Sequence, residues 1–373
     1  MRVVYPPPTS PAPFTSRKVF AAAHVAAVAG PGGEPVIDWE STLRFREHLW
    51  AHGFGVAEAM DTAQRGMGPL GLSWEQAREL IARTAARAAE AGRLDALACG
   101  AGTDQLADGR PHQLRAIIDA YAEQVAFVQE SGAQVILMAS RALAASARGP
   151  RDYLEVYGEL VKQAERPVIL HWLGEAFDPA LAGYWGGGFD AAAATVLELI
   201  DRSGGQVDGV KLSLLDEGRE KWLRRRLPAG VRLYTGDDFN YASLIRGDAN
   251  GSHSDALLGA FAAITAPAAA ALAALDRGDL AGYDAAMEPT VPLSRLIFEP
   301  PTYHYKAGVA FLAWLNGLQP QFVMLGGLER ARSAGHLIRV YELAAAAGAL
   351  AEPELAAERA GEMLARSAHA GPV

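Results

Sequence analysis

The chain has 373 residues, enough for one large domain or one domain with an appendage, and half of them are hydrophobic, so a large core can be buried. A net charge of −9 and a pI near 5.5 argue against nucleic acid or an anionic membrane as partner. The single cysteine, Cys99, excludes an internal disulfide; with a proline-rich, base-poor N-terminal stretch unlike a signal peptide and no apolar run of membrane-spanning length, it sets a cytoplasmic location as the expectation.

Short apolar runs alternate with longer helical patterns, which predicts βα units and a parallel sheet. The first run is Lys18–Val25; after a turn at Gly30–Gly33, Asp38 or Ser41 is placed to cap a helix reaching about His52. The second run, Gly55–Met60, ends in the polar segment Asp61–Arg65, and Ser73 with Gln76 makes a capping box for the next helix. The third is Leu94–Gly100, followed by Ala101–Gln105; a helix over about Pro111–Glu130 leads to the fourth, Gln134–Ala139. The fifth is Pro167–Trp172, the sixth Val207–Leu214, the seventh Val231–Thr235, and the candidate eighth Asp255–Ala260.

Eight such units in about 250 residues is the arithmetic of a (β/α)8 TIM barrel. The runs are apolar throughout, as strands buried on both faces should be. An open doubly wound sheet is the competitor, weakened by the lack of a Gly-rich dinucleotide fingerprint after the first run. From about Ala266 helix follows helix, punctuated by Pro289, Pro292, Pro300, Pro301 and Pro320. Leu343–Leu350 prolongs one helix, and Pro353 marks the break to the last. The expected division is a barrel over 1–265 carrying the active site and a C-terminal helical bundle over 266–373.

One lysine stands inside the sixth run, Val207-Asp-Gly-Val-Lys-Leu-Ser-Leu214. Burial disfavours its charged form, and a neutral amine is suited to attack a carbonyl and form an imine. The bland alternative is a lysine at the strand's end that snorkels to solvent or pairs with a carboxylate. Barrel enzymes carry their chemistry at the C-terminal ends of the strands. That rule selects His24, Glu58, Asp61, Thr62, Gln64, Thr103, Asp104, Gln105, Ser140, Arg141, His171, Lys211, Ser213, Asp237, Asp238 and Asn240, and rejects His253. His171, one strand from Lys211, reads as a proton shuttle, a hydroxyl anchor or a satisfied core histidine. Arg141 suits a bidentate clamp on carboxylate or phosphate, or a solvated loop. Asp237 and Asp238 read as a turn and helix cap. A rival set, His24, Glu58, Asp61, His171 and Asp237, would hold a divalent metal as in sugar isomerases on this fold, although these ligands are dispersed singly.

Four segments carry a resemblance: Gly209-Val-Lys-Leu-Ser213, Gly236-Asp-Asp238, Val36-Ile-Asp-Trp39 and Lys306-Ala-Gly-Val-Ala-Phe-Leu312. In their order and spacing the chain resembles the class I aldolase family of dihydrodipicolinate synthase and N-acetylneuraminate lyase, as a divergent branch. The resemblance implies an eight-stranded barrel with a C-terminal helical extension, and a homodimer or homotetramer. It implies an imine between Lys211 and a 2-oxo acid, usually pyruvate, with no cofactor beyond that covalent bond. Two segments depart from the family. Asp61-Thr-Ala-Gln-Arg65 stands where the family has Gly-Thr-Thr-Gly-Glu, keeping only Thr62, and Ala139-Ser-Arg-Ala142 stands where it carries a proton-relay tyrosine. A carboxylate near the second strand, Glu58 or Asp61, would repel a 2-oxo acid unless neutralised.

The resulting expectation is a lysine Schiff-base lyase acting on a 2-oxo acid or keto sugar by retro-aldol cleavage, condensation or dehydration. Lys211 forms the imine, and His171, backed by Ser140, moves protons. Asp61, Thr62, Gln64, Asp104, Arg141, Ser213 and Asp237 position the small carbonyl substrate. The alternatives are a metal-dependent sugar isomerase or epimerase using a divalent metal, and a non-catalytic small-molecule-binding barrel.

Overall fold

A computed structural model describes residues 5, 12–60, 65, 71–107 and 110–369. Eight parallel strands close into a barrel in chain order: β1 (Val19–Ala22), β4 (Gly55–Glu58), β5 (Leu97–Ala101), β6 (Gln134–Leu137), β7 (Val168–Leu173), β8 (Val207–Ser213), β9 (Arg232–Thr235) and β10 (Asp255–Leu258). All eight expected runs are barrel strands, including the eighth. Two short strands not anticipated from the sequence, β2 (Ala27–Ala29) and β3 (Pro35–Ile37), pair antiparallel as a hairpin after β1. Three residues each, they are too short for a periodicity of two to register.

The chain forms two compact units. One, Arg17–Ala22 with Gly55–Leu258, contains every barrel strand. Its interior is filled by Phe20, Ala22, Ala57, Ala98, Ile136, Ile169, Tyr234 and Leu257, all buried residues of one apolar cluster. On β1 the alternate residues Phe20 and Ala22 both contribute to it, as the pleat requires. The connecting helices are α2 (Trp74–Glu90), α3 (Leu114–Glu130), α4 (Arg141–Ser146), α5 (Pro150–Gln163), α6 (Phe189–Arg202), α7 (Glu217–Arg224) and α8 (Tyr241–Arg246). Ser73 and Gln76 close the expected capping box on α2. Burying apolar stripes such as Ala77, Leu80, Ile81 and Ala88 of α2 contributes roughly 25 cal/mol per Å² removed from water.

The other unit comprises the described residues of Met1–Ser16, Ala23–Phe54 and Gly259–Val373. It holds the hairpin, α1 (Trp39–Ala51), and the C-terminal helices α9 (Thr265–Asp276), α10 (Leu280–Met287), α11 (Val291–Ile297), α12 (Lys306–Leu315), α13 (Ala334–Ala346) and α14 (Pro353–His369). Asp38 rather than Ser41 caps α1, accepting from the Ser41 amide at 3.1 Å. Every residue of α12 is buried, so it forms the axis of this helical part. His24 belongs to this unit and pairs through Nε2 with Gln319 Oε1 at 2.7 Å. No described helix is long and apolar enough to cross a membrane.

Candidate active site

β7 and β8 run side by side, with His171 opposite Lys211 and Leu173 opposite Ser213. Along β8 the pleat sends Lys211 and Ser213 to the same, inner face. Lys211 is only 7% exposed, and its Nζ lies 3.9 Å from the sulfur of Met60, a member of the interior cluster. The lysine therefore does not snorkel out from the strand's end. His171 is 1% exposed; its Nε2 is 3.4 Å from Ser213 Oγ, and its buried Nδ1 has no hydrogen-bond partner within the protein. Burial, reinforced by the adjacent Lys211, pulls the imidazole well below its ordinary pKa and keeps it neutral.

This burial has a consequence for stability. Unfolded histidines protonate near 6.5, whereas His171 stays neutral well below that and His24, desolvated by burial, is lowered to about 3. Between those values the unfolded chain binds more protons than the folded one, so stability rises with pH and falls as pH drops below about 6.5. Each histidine contributes a slope of up to about 1.4 kcal/mol per pH unit. Urea midpoints at pH 7, 6 and 5 should decline, and His171→Gln should remove its share of the slope.

Gly236, just past β9, makes the approach of these groups feasible. A Cβ there would lie 2.1 Å from Ser213 Oγ and 3.0 Å from both Lys211 Cε and the Leu212 carbonyl oxygen. Gly236→Ala is expected to cost about 1–3 kcal/mol, as overpacking of a close-packed interior does. Adding Ser213→Ala removes the worst of the overlap and should restore part of the loss in chemical denaturation.

Among the described residues, three non-glycine residues have left-handed backbone, Ala59 (φ 47), Leu215 (φ 55) and Trp185 (φ 70). Ala59 directly follows β4, Leu215 lies two residues past β8, and Trp185 lies in the segment after β7. Such strain costs about 1–3 kcal/mol per residue and concentrates at functional sites. It lies here at the C-terminal ends of the strands.

Of the other expected site residues, Ser140 caps α4 by accepting from the Leu143 amide at 2.9 Å, and its Oγ shares a 2.6 Å hydrogen bond with Thr103 Oγ1. Its own amide donates to the Tyr184 hydroxyl at 2.9 Å. Tyr184 in turn bonds Tyr157 at 2.8 Å, and Tyr157 and Tyr121 both donate to the Met138 carbonyl. Arg141 is held by Asp178 through Nε at 2.7 Å. Asp104 is held by Arg65, 2.6 Å away, and by Gln124 at 2.9 Å. Asp237 accepts from the amides of Phe239 and Asn240 at 2.9 and 3.0 Å. It thus forms the expected turn, but α8 itself is capped at Asn240, where the sequence had suggested the aspartates. Asp61, Thr62 and Gln64 lie outside the described residues.

The carboxylate of Glu58 turns away from the interior, accepting from Thr84 Oγ1 of α2 at 2.7 Å and from the Ala59 amide at 2.9 Å. Glu58 is thus not the repulsive group at the mouth that the sequence suggested. Among the described residues no three of the His, Cys, Asp and Glu side chains converge in a way that could hold a metal. Of the rival set, Glu58, His24 and Asp237 have the separate partners described above.

A family model with the description "Protein of unknown function (DUF993)" matches residues 4–368. The chain belongs to the DUF993 family. No curated protein matches this DUF993 chain in sequence. Among solved structures its fold is similar to dihydrodipicolinate synthase from Oceanobacillus iheyensis, at 16% identity and a TM-score of 0.62, over 88% of this chain and 95% of that one. Dihydrodipicolinate synthase from Aquifex aeolicus aligns with a TM-score of 0.64 at 16% identity over 88% and 97% of the two chains. The Thermotoga maritima protein of that name aligns with a TM-score of 0.64 at 14% identity, over 90% and 99%. The DUF993 chain therefore shares its fold with these proteins, a (β/α)8 barrel with a C-terminal helical part.

The residues that sequence reasoning missed are Arg65 as a buried cation, Gln124 and the three tyrosines. Gln124 lies in the middle of α3 and the tyrosines on α3, α5 and a glycine-rich loop, so no local pattern marks them.

Proposed function

We propose that the DUF993 chain is a cofactor-independent lyase that works through an imine on Lys211, acting on a 2-oxo acid or keto sugar. The observation that carries this reading is a buried lysine on the inner face of the sixth barrel strand, in register with a neutral histidine whose Nδ1 has no partner. The Lys211 amine adds to the substrate carbonyl carbon, and the carbonyl oxygen leaves as water, giving C=N. The protonated imine then accepts the electron pair released when the neighbouring C–C bond breaks or a C–H proton is taken. Neutral His171 is within reach of Ser213 and is the group that takes and returns that proton. The similarity of fold to dihydrodipicolinate synthases supports the aldolase type of barrel.

The test is borohydride trapping of the purified chain with 2-oxo acids and keto sugars, read by intact mass and peptide mapping. A reduced adduct on the peptide holding Lys211 is expected. Absence of any adduct there, together with a tightly bound divalent metal and activity lost on chelation, would sink the imine reading in favour of the isomerase.

A further inference from the structure

We infer that the site takes a neutral hydroxy-carbonyl compound in preference to a 2-oxo acid; this rests on the imine reading above. A carboxylate brought into a buried mouth must be met by a cation or by several N–H donors, or its desolvation opposes binding. Among the described residues of the barrel unit, donors of both kinds at the strand ends are spent on the protein itself.

A buried cation of the barrel unit beside the ends of β4 and β5 is Arg65, whose side chain is 1% exposed. A guanidinium has five N–H groups, and all five are engaged. Nε donates to Asp104 Oδ2 at 3.3 Å, and Nη1 to the carbonyls of Ala59 and Gly100 at 2.7 and 2.9 Å. Nη2 donates to Asp104 Oδ1 and Gln124 Oε1 at 2.6 and 2.8 Å. Arg141 is neutralised by Asp178. The loops that follow β7, β8 and β9 up to their next helices contain no lysine, arginine or histidine, and neither do residues 61–64 and 66–70.

Six described backbone amides at the strand ends are engaged as well. At the end of β4 the Ala59 amide goes to Glu58, and past β5 the Gly102 amide goes to Gln124 Oε1 at 2.6 Å. Past β6 the Ser140 amide goes to Tyr184, and past β7 the Gly174 amide goes to the Ser213 carbonyl at 3.0 Å. Past β9 the Gly236 amide goes to the Leu212 carbonyl at 2.9 Å, and that of Asp237 to Thr235 Oγ1 at 3.2 Å. Among the described residues, the side-chain hydrogen-bonding groups left beside Lys211 that carry no charge are the Ser213 hydroxyl, the Ser140–Thr103 hydroxyl pair and the unpartnered His171 nitrogen. These match alcohol groups, which donate and accept at once.

Pyruvate and hydroxyacetone form a matched pair, a methyl ketone carrying either a carboxylate or a hydroxymethyl group. Each would lose its carbonyl oxygen as water to give an imine, which borohydride reduces by adding hydride to the imine carbon. The full-length chain is incubated with each, and with dihydroxyacetone, under limiting borohydride, and the Lys211 peptide is quantified. Hydroxyacetone and dihydroxyacetone are expected to label Lys211 at least about tenfold faster than pyruvate. Equal or faster labelling by pyruvate overturns this inference and leaves the imine reading standing. No label on Lys211 from any of the three, nor from the wider panel, overturns both. Asp104→Asn removes the charge that neutralises Arg65 while keeping one acceptor for it, and should shift the labelling ratio towards pyruvate by about tenfold. A properly folded variant with an unchanged ratio overturns the assignment of the preference to Arg65.

Discussion

Lys211→Ala should abolish the borohydride adduct and lower turnover of the compound that forms it by about 10⁴-fold or more, the scale on which loss of a nucleophile is felt. Lys211→Arg is the stricter control, since it keeps a cation on a long stem but cannot form an imine at neutral pH. Circular dichroism with a denaturant melt checks that both variants fold. Residual turnover within tenfold of the parent chain in either variant would refute covalent catalysis at this position. The outcome bears on the rival readings too. A metal-dependent isomerase on this barrel would tolerate Lys211→Arg far better, and a binding-only barrel would keep its ligand affinity with Lys211→Ala.

The second large effect is expected at His171. His171→Gln retains a polar side chain able to meet Ser213 but cannot exchange a proton at neutral pH, so kcat should fall by about 10²–10³-fold, the usual contribution of a general acid–base. Imine formation needs less from this group, so the adduct on Lys211 should still accumulate, more slowly. The informative quantity is the split. Turnover lost with the adduct retained assigns His171 to proton transfer after the imine, whereas equal turnover in the two proteins would reduce it to a core residue. A pH profile adds a second readout: because burial holds the imidazole neutral, the parent chain should keep its activity below pH 6.5 until His171 protonates or the fold is lost.

The barrel was legible because its determinants are local. The strands are apolar-rich runs of four to seven residues, most of them ending near a glycine, serine or aspartate, and some helices carry their own cap, as at Asp38 and Ser73. The position of Lys211 inside a run was equally local, and the pairing of neighbouring strands made His171 its neighbour. What stayed illegible was the state of the polar residues at the mouth. Asp104 and Arg141 look like substrate clamps in the sequence, and both are occupied by partners 39 and 37 positions away. Glu58 faces α2 because Ala57 faces the interior, yet strands apolar on both faces give no hint of which parity points in. The tyrosines that brace Met138 and Ser140 come from two helices and a loop, and only closure of the barrel brings their hydroxyls together.

The saturated guanidinium of Arg65 also bears on how the molecule assembles. Its acceptors come from the end of β4, the end of β5, the loop behind it and the middle of α3, so no one of these segments alone can satisfy Arg65. An arginine left buried with half its donors unmet is worse than one left in water, so the partly docked states are penalised on both sides. The second and third βα units are thereby welded into a single cooperative block that forms and opens all at once, and the quarter of the barrel facing Lys211's Met60 neighbour inherits the rigidity of that block.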